Sequence, residues 1–255
     1  MSEVKNGPAM ETTWAAVSGV SKLCDFFGGI HLYGAIVTAL YERERTGAGR
    51  VVEASMFESV YPSLMSSLGL YFGSGGAVPG RTGNRHAGLA EAPYNVYPAT
   101  DGYVAIIGVS EQHWVSLATL IGRPDLIDAP GWATRRERVE RMEEVDELVA
   151  AYTSQYPRDE LLRLLRDARV PCAPVRDIGE VVTDQHLHER GMLQEIEHPE
   201  LGPLTVPHSP LRYEGTPRLP LTPSPKLGEH SAEILREWLG LGPDEIDELE
   251  RREVI

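Results

Sequence analysis

Apolar residues recur at helical spacing along two stretches in the first third of the chain. Residues 29–45 carry the apolar set Ile30, Tyr33, Ile36, Val37, Leu40 and Tyr41. Their spacing of three to four positions places them on one helix face. Residues 57–72 show a second apolar helical pattern, with a bend expected at Pro62. The intervening run 51–56, VVEASM, predicts a strand. The succession of helix, strand and helix is typical of an α/β layer.

A second block begins near residue 93 and mixes strand and helix patterns. The run YNVYPATDGYVAIIGV predicts two strands joined by a turn over residues 99–102. Pro171 and Pro174 favour an extended segment over 170–175. The charged run 135–144 is expected to face solvent. The helices predicted in this block span residues 111–122, 135–156 and 158–170.

The remaining segments are a glycine-rich loop and a C-terminal tail. Residues 73–91 contain six Gly and one Pro in 19 positions, which predicts a linker or a binding loop. In the tail, residues 177–192 read as helical, and a hairpin is expected around residues 199–203. A proline-rich irregular stretch follows, and then two terminal helices.

Composition and charge exclude several classes of protein. The 255 residues include 24 Lys and Arg against 38 Asp and Glu, which gives a net charge of −14, and 42% are apolar. The chain is too apolar for a disordered protein, and its two cysteines, Cys24 and Cys172, do not make a disulfide framework. An acidic chain repels phosphate backbones, so no nucleic-acid partner is expected.

The hydropathy of the chain bears on its location. The apolar runs fall short of the roughly 18–20 residues that a membrane helix needs. The start of the chain, MSEVKNGPAMETTW, lacks the apolar stretch of a signal peptide. The sequence therefore predicts a soluble, cytoplasmic protein with no membrane partner.

Asp25 is the first candidate for chemistry. It precedes Phe26, Phe27, Gly28 and Gly29 and then the helix predicted from residue 29. A carboxylate at a helix N-terminus faces unpaired N–H groups, and two glycines let a substrate approach the backbone closely. A carboxylate held in this way is a plausible nucleophile toward an acyl group. Local features alone favour the alternative, which is a helix-capping Asp beside two packing Phe.

Three further groups are weaker candidates. Glu11 lies near the start of an amphipathic pattern, and local features alone favour an ordinary first-turn helix residue there. In the loop around TGNRH (82–86), Arg81 and Arg85 are suited to pair with phosphates, although a flexible linker explains the same residues. The loop lacks the ending of a P-loop. His186 and His188 have no partner cluster for a metal, so no metal site is predicted.

Residues 24–59 resemble the most recognisable segment of the family III CoA-transferases, the group of formyl-CoA and carnitine CoA-transferases. The resemblance continues in the right order over nearly the whole chain. Its other segments are residues 83–106, 111–126, 170–181, 188–217 and 227–249.

This resemblance implies a function and a set of site residues. The nucleophilic Asp of the family, which forms an aspartyl anhydride and then an enzyme–CoA thioester, matches Asp25. Glu11 aligns with an acidic active-site position. Acyl-CoA and a carboxylic acid are then the substrates, and no cofactor is implied beyond the coenzyme A thioester itself. The residues expected to bind substrate or CoA are Gly28, Gly29, Arg81, Gly83, Asn84, Arg85 and His86.

Two alternatives to a transferase remain open. The α-methylacyl-CoA racemases of the same superfamily resemble the chain around Asp25, but they use a His-Asp pair where this chain has Met10 and Glu11. Met10 cannot carry a proton, so a racemase would lose one of its two acid–base groups. A non-catalytic relative that stabilises a partner subunit is the second alternative.

The resemblance also implies an incomplete α/β fold. Relatives carry a large N-terminal Rossmann-like half, and nothing before Glu11 matches it. We therefore expect a truncated large α/β domain, formed by residues 1–73 and 178–255. A glycine-rich linker over 74–91 and a small α+β domain over 92–177 complete the prediction. A homodimer, or a hetero-oligomer with a chain that supplies the CoA-binding half, is the expected assembly.

Overall fold

The computed structural model describes residues 9–78, 81–252 and 254–255, and it describes side chains from residue 23 onward. The chain divides into two compact units, Met1–Val175 and Arg176–Ile255. In the described residues the α-helices are α1 (Ala9–Thr46), α2 (Met56–Val60), α3 (Met65–Gly73), α4 (Glu111–Leu120), α5 (Arg135–Glu140), α6 (Met142–Thr153), α7 (Arg158–Asp167), α8 (Ile178–Val182), α9 (Gln185–Glu189), α10 (Ser231–Leu239) and α11 (Pro243–Arg251). The strands are β1 (Tyr94–Ala99), β2 (Gly102–Ile107), β3 (Cys172–Pro174), β4 (Leu193–His198) and β5 (Gly202–Pro207).

Helix α1 is a single helix of 38 residues. It continues through Gly28 and Gly29, so the prediction of a helix that begins at residue 29 was wrong. Gly28 is buried, and a Cβ atom there would lie 3.2 Å from Cγ of Met56 at the start of α2. Glycine at position 28 thus lets α2 approach α1 closely. From the sequence alone, the same glycine was interpreted as a helix break.

The predicted strand over 51–56 is not formed. Residues 51–55 are irregular, and α2 begins at Met56 with Ser55 as its N-cap. A strand is stable only beside a neighbour that pairs with its backbone, and the described residues supply none to this segment. Val51 is accordingly 97% exposed. The expected bend at Pro62 is confirmed, because a 3₁₀ turn, Tyr61–Leu64, separates α2 from α3.

A small antiparallel sheet forms the centre of the first unit. Strand β2 pairs with β1, with Tyr97 opposite Val104, and on its other side with β3. The predicted strands, their turn and the extended segment after residue 170 are thereby confirmed. Helices α4, α6 and α7 supply the rest of the hydrophobic core, whose largest fully buried apolar residues include Tyr97, Ile106, Trp114, Leu117, Leu161 and Leu165.

The charged segment after residue 134 differs from its prediction in two ways. The helix breaks at Arg141 into α5 and α6, and Arg138 is only 1% exposed, although this run was expected to face solvent. The Arg138 guanidinium lies 4.9 Å above the ring of Trp114 and donates from Nη2 to Oε2 of Glu111 at 2.7 Å. Buried charge is tolerated here because the guanidinium is paired and hydrogen-bonded.

Three backbone carbonyls complete the surroundings of Arg138. Its Nη1 donates to the carbonyls of Trp132, at 2.9 Å, and Ala133, at 3.2 Å. Its Nε donates to the carbonyl of Ala92 at 3.3 Å. This one side chain therefore joins α5 to α4, to the loop before α5 and to the segment that leads into β1.

The second unit contains the predicted hairpin and terminal helices. Strands β4 and β5 pair antiparallel, with Leu193 opposite Pro207. The proline-rich stretch that follows is irregular, and α10 and α11 end the chain as predicted. Nε2 of His188 lies 2.8 Å from the carbonyl of Val182. Among the residues described, no group of three His, Cys, Asp or Glu side chains is placed to hold a metal ion.

The helices α1 to α3 expose an unusually large apolar surface. Within the described part of the chain, the segment Leu23–Thr46 is the one helix long and apolar enough to cross a membrane by length and composition. The prediction that no run approaches this length was therefore wrong. A core helix of a soluble protein meets the same criterion. The exposed side chains are Leu23, Phe26, Phe27, Ile30, Leu32, Tyr33, Ile36, Val37, Leu40, Tyr41, Met56, Phe57, Tyr61, Leu64, Met65, Tyr71 and Phe72.

Candidate active site

Asp25 lies inside α1, and its side chain is exposed. The expectation that Asp25 faces the positive end of a helix was wrong, because the helix starts at Ala9. Asp25 is flanked by Phe26, which is exposed, and by Cys24, which is half-buried. The structure therefore presents this carboxylate on an apolar, accessible surface. That surface is suited to an attack on a substrate that covers the carboxylate and excludes water from it.

The two glycines after Phe27 differ in their surroundings. Met56 occupies the space beside Gly28, so a substrate would reach the Gly28 backbone only if the Met56 side chain moved, and the role of Gly28 in binding stays a prediction. Gly29 is exposed, and an added Cβ would meet nothing within 4 Å. The surface beside Gly29 is therefore the open part of the pair. Glu11 and Met10 lie outside the residues whose side chains are described, so the predictions about them stay predictions.

The loop after α3 contains a compact turn. The Arg85 N–H donates to the carbonyl of Thr82 at 3.2 Å, and Gly83 has a φ of +64°. This left-handed conformation favours glycine, which explains Gly83 in the turn. Asn84 is exposed at the tip. We call residues 82–85 the TGNR turn.

His86 supports the turn from its C-terminal side. Its Nδ1 accepts a hydrogen bond from the Gly88 N–H at 3.1 Å, and its ring meets Tyr94 edge-on at 5.2 Å between centroids. His86 therefore packs against the start of β1. These contacts hold the loop against β1, and a role of His86 in binding substrate stays a prediction.

Arg85 and Arg81 have different surroundings. Nε of Arg85 donates to Oδ2 of Asp146 at 2.7 Å, and the Arg85 side chain is 29% exposed. Arg81 is exposed and has no ion pair with any residue that the structure describes. It lines a groove of about 340 Å³ between α3 and the loop, beside Leu68, Tyr71 and Thr82. Of the two predicted phosphate-pairing arginines, Arg81 is thus the one with an uncommitted charge.

Asp146, which the sequence pattern did not single out, holds this loop through Arg85. Its Oδ2 also accepts from Nδ2 of Asn95 at 3.0 Å, and its Oδ1 accepts from the Tyr97 hydroxyl at 2.6 Å. Burial, and then the neighbouring Asp146 carboxylate, raise the pKa of Tyr97 far above its ordinary value. Asp146 follows Val145, which lies on the buried face of α6. Its position next to that apolar face was the one sequence feature that could have indicated a partly buried carboxylate.

In the described structure, the predicted site residues lie in two separate places. The TGNR turn, Arg81 and His86 share one loop, whereas Asp25 lies on α1. Over the residues with described side chains, no hydrogen bond or ion pair joins Asp25 to this loop. The structure thus defines the surroundings of each part without showing them in contact.

Comparison with known proteins gives a consistent family. A model of CoA-transferase family III matches residues 8–231. The formyl-CoA:oxalate CoA-transferase of Streptomyces coelicolor is 34% identical over 243 residues, which cover 89% of this chain and 58% of that protein. The β subunit of the succinyl-CoA–L-malate CoA-transferase of Chloroflexus aurantiacus is 31% identical, over 93% of this chain and 58% of that protein.

A solved structure agrees with these matches. The crystal structure of a CaiB/BaiF family protein from Brucella suis superposes with a TM-score of 0.67 at 31% identity, and covers 84% of this chain and 55% of that one. The chain spans somewhat more than half the length of the proteins it matches. The mixed helix-and-sheet fold and the matched family agree with the predicted fold class. This chain belongs to CoA-transferase family III.

Proposed function

We propose that this chain provides the catalytic aspartate of a CoA-transferase that moves CoA from an acyl-CoA to a carboxylic acid. The observation that carries the proposal is the accessible carboxylate of Asp25, within the segment where the family resemblance is strongest. Family membership supports CoA transfer in general, and the covalent role of Asp25 is the specific proposal. Exposure matters because a nucleophile must reach the thioester carbon directly.

The proposed reaction begins with two substitutions at carbonyl carbon. The Asp25 carboxylate attacks the thioester carbon of the acyl-CoA, the C–S bond breaks, and a mixed anhydride and free CoA thiolate result. The thiolate then attacks the Asp25 carbonyl carbon of the anhydride. This step releases the donor acid as its carboxylate and leaves CoA joined to Asp25 as a thioester.

The acceptor then repeats the two substitutions in reverse order. Its carboxylate attacks the Asp25 thioester and releases the thiolate, and the thiolate attacks the acceptor carbon of the new anhydride. The acceptor leaves as its CoA ester, and Asp25 regains its carboxylate. No electron is gained or lost overall, so the proposed reaction needs no oxidant or reductant.

Charge supports a role for the loop in holding the substrate. CoA carries several phosphate charges, and this chain has a net charge of −14, so the two repel each other at long range. Arg81, with its uncommitted guanidinium, offers a local positive group beside an apolar groove. We assign Arg81 to the anionic part of the acyl-CoA or of the acceptor acid, with Asn84 beside it at the tip of the TGNR turn.

The apolar surface of α1 to α3 supports an assembly. Monomers rarely expose a contiguous apolar patch of this extent, and such a patch commonly marks an interface. The chain spans somewhat more than half of its relatives, and one relative is named as the β subunit of its enzyme. We therefore propose that the active form is a homodimer or a hetero-oligomer with a chain that supplies the rest of the CoA site.

Trapping the covalent intermediate tests the proposal. The chain, alone and in its assembled complex, is mixed with formyl-CoA or succinyl-CoA and then with hydroxylamine, and its peptides are analysed by mass spectrometry. We expect a hydroxamate on the peptide that contains Asp25. The Asp25→Asn variant should lose this adduct, whereas Glu44→Gln, an exposed acid on the same helix, should keep it.

The same experiment distinguishes the proposed transferase from its alternatives. An adduct that appears only in the complex would show that a partner is required. An adduct that persists in Asp25→Asn, or lies on another residue, would refute the nucleophile. If no adduct forms and deuterium enters the α-carbon of a branched acyl-CoA, the racemase reading would replace the transferase.

A further inference from the structure

The carboxylate of Asp146 is held between the central sheet and the glycine-rich loop. Its side chain is 13% exposed, and it accepts hydrogen bonds from Arg85, Asn95 and Tyr97 at distances of 2.6 to 3.0 Å. Asn95 and Tyr97 lie two residues apart on β1, so both face α6. Arg85 is the one donor of the three that comes from the loop.

The Arg85 contact ties the TGNR turn to the folded core. Arg85 is the last residue of the turn, and its backbone N–H closes the turn onto Thr82. A single charge-assisted hydrogen bond on a flexible side chain would be weak if it were exposed. Here the acceptor is mostly buried and already oriented by Asn95 and Tyr97, which makes it a fixed anchor.

The anchor determines what the turn presents to a ligand. With Arg85 engaged by Asp146, the groups left at the outer side of the turn are Asn84, the backbone at Gly83 and the neighbouring Arg81. A turn held in one conformation loses less entropy on binding than a mobile one, and it therefore binds more tightly.

We propose that Asp146 is a positioning residue that sets the affinity for acyl-CoA by fixing the TGNR turn through Arg85. The proposal rests on the proposed function, since it assigns this turn to the CoA-transfer site. It does not place Asp146 in contact with substrate. It predicts an effect on binding and none on the attack by Asp25.

The structure separates this role from a merely structural one. The Tyr97 hydroxyl reaches Oδ1, whereas Arg85 reaches Oδ2. Tyr97→Phe therefore removes a hydrogen bond to Asp146 but leaves the Arg85 contact in place. Asp146→Ala removes the contacts to Arg85, Asn95 and Tyr97, and Asp146→Asn keeps an oxygen that can accept from Arg85.

The test compares these variants in the assembled enzyme by steady-state kinetics with acyl-CoA. We expect Asp146→Ala to raise KM about 10-fold with kcat within about twofold, as for a lost charge-assisted contact. Asp146→Asn should recover most of the wild-type KM. Tyr97→Phe should lower thermal stability and raise KM by less than about twofold, because Asn95 and Arg85 still hold the carboxylate. Glu147→Gln, an exposed neighbour on α6, serves as the matched control.

Hydrogen exchange provides a readout that does not need activity. Peptides that cover residues 81–90 should exchange faster in Asp146→Ala and in Arg85→Gln than in the control. The Arg85→Gln variant also tests the anchor from the loop side if Asp146→Ala does not fold. In the double variant we expect no increase in KM beyond that of either single change.

Two results would overturn the proposal. One is an unchanged KM in Asp146→Ala and Arg85→Gln, and the other is a KM raised equally by Tyr97→Phe. Both are distinct from a failure of the proposed function, which the Asp25 adduct reports independently. If no adduct forms in the wild type, hydrogen exchange and the direct binding of CoA still decide whether Asp146 fixes the turn.

Discussion

Replacement of the buried Arg138 tests how the first unit is held together. The Arg138→Met change keeps most of the volume of the side chain and removes its guanidinium. Four acceptors then lose a donor, namely one carboxylate oxygen of Glu111 and three backbone carbonyls. The Glu111 side chain is 57% exposed, so water replaces its lost partner. The three backbone carbonyls, in contrast, lose the Arg138 donor and gain no equivalent partner in the variant.

The expected loss follows from these contacts. Each buried acceptor left unpaired costs about 1–3 kcal/mol. The carbonyls of Trp132 and Ala133 share one donor, and the contact to Ala92 is long, so the three together contribute about 3 kcal/mol. The cation–π contact with Trp114 adds about 1 kcal/mol. We therefore expect the free energy of unfolding to fall by about 3–5 kcal/mol.

Glu111→Gln serves as the matched comparison. It leaves the three carbonyl contacts of Arg138 intact and removes one partly solvated charge partner, so we expect a loss of only about 1 kcal/mol. Burial raises the pKa of Glu111, but hydrogen bonds from Arg138 and from the Arg135 backbone outweigh burial and hold it below its ordinary 4.5. The folded pKa is the lower one, so this contribution is present above the unfolded pKa. It is lost as the pH falls through the folded value.

Urea unfolding followed by tryptophan fluorescence measures these differences. Trp114 and Trp132 are stacked with 6.0 Å between ring centroids, and the guanidinium lies over Trp114, so the signal reports this part of the fold. The difference between wild type and Glu111→Gln should shrink between neutral and acid pH. A loss below about 1 kcal/mol in Arg138→Met, or an equal loss in both variants, would refute the reasoning about the carbonyls.

Two further changes test the loop and a helix terminus. Arg81→Gln should raise KM for acyl-CoA about 10-fold and leave the Asp25 adduct detectable at saturating substrate, because it removes a charge that binds and does not react; an unchanged KM in steady-state assays would contradict the role of Arg81. Thr134→Ala should lower the free energy of unfolding by about 1 kcal/mol, since the Thr134 side chain caps α5 by accepting from the Glu137 N–H. Thr134→Ser keeps the hydroxyl and should restore stability in the same urea titration.

The elements that local patterns specify were predicted from the sequence. The hairpins over residues 94–107 and 193–207 combine alternation with short turns, and both are formed. The segment 51–56 begins with two β-branched valines, Val51 and Val52, but a strand there depends on a partner strand, which the described residues do not supply. No strand forms there, because β-propensity reflects how well a side chain packs against a neighbouring strand and is only weakly a property of the isolated residue.

The candidate site was predicted in its residue types and only partly in its surroundings. Asp25 was chosen from its neighbours and the family resemblance, but Gly28, which suggested a helix break, instead lets α2 approach α1 closely. Arg138 was missed because the charged run 135–144 was expected to face solvent, and Asp146 was not singled out at all. Arg138 precedes Met142 and Val145 at helical spacing, so it falls on the apolar stripe, and its burial depends on partners far away in the sequence.

The exposed position of Asp25 on α1 bears on how much acyl-CoA the proposed reaction would lose to hydrolysis. An aspartyl anhydride or thioester exposed to water would be hydrolysed, and the energy of the acyl-CoA would be lost as heat. Covering the apolar surface of α1 would exclude water from the surroundings of Asp25, the proposed nucleophile. Assembly would then decide between hydrolysis of the intermediate and transfer of CoA, and an unpaired chain that formed the intermediate would consume acyl-CoA without making the CoA ester of the acceptor.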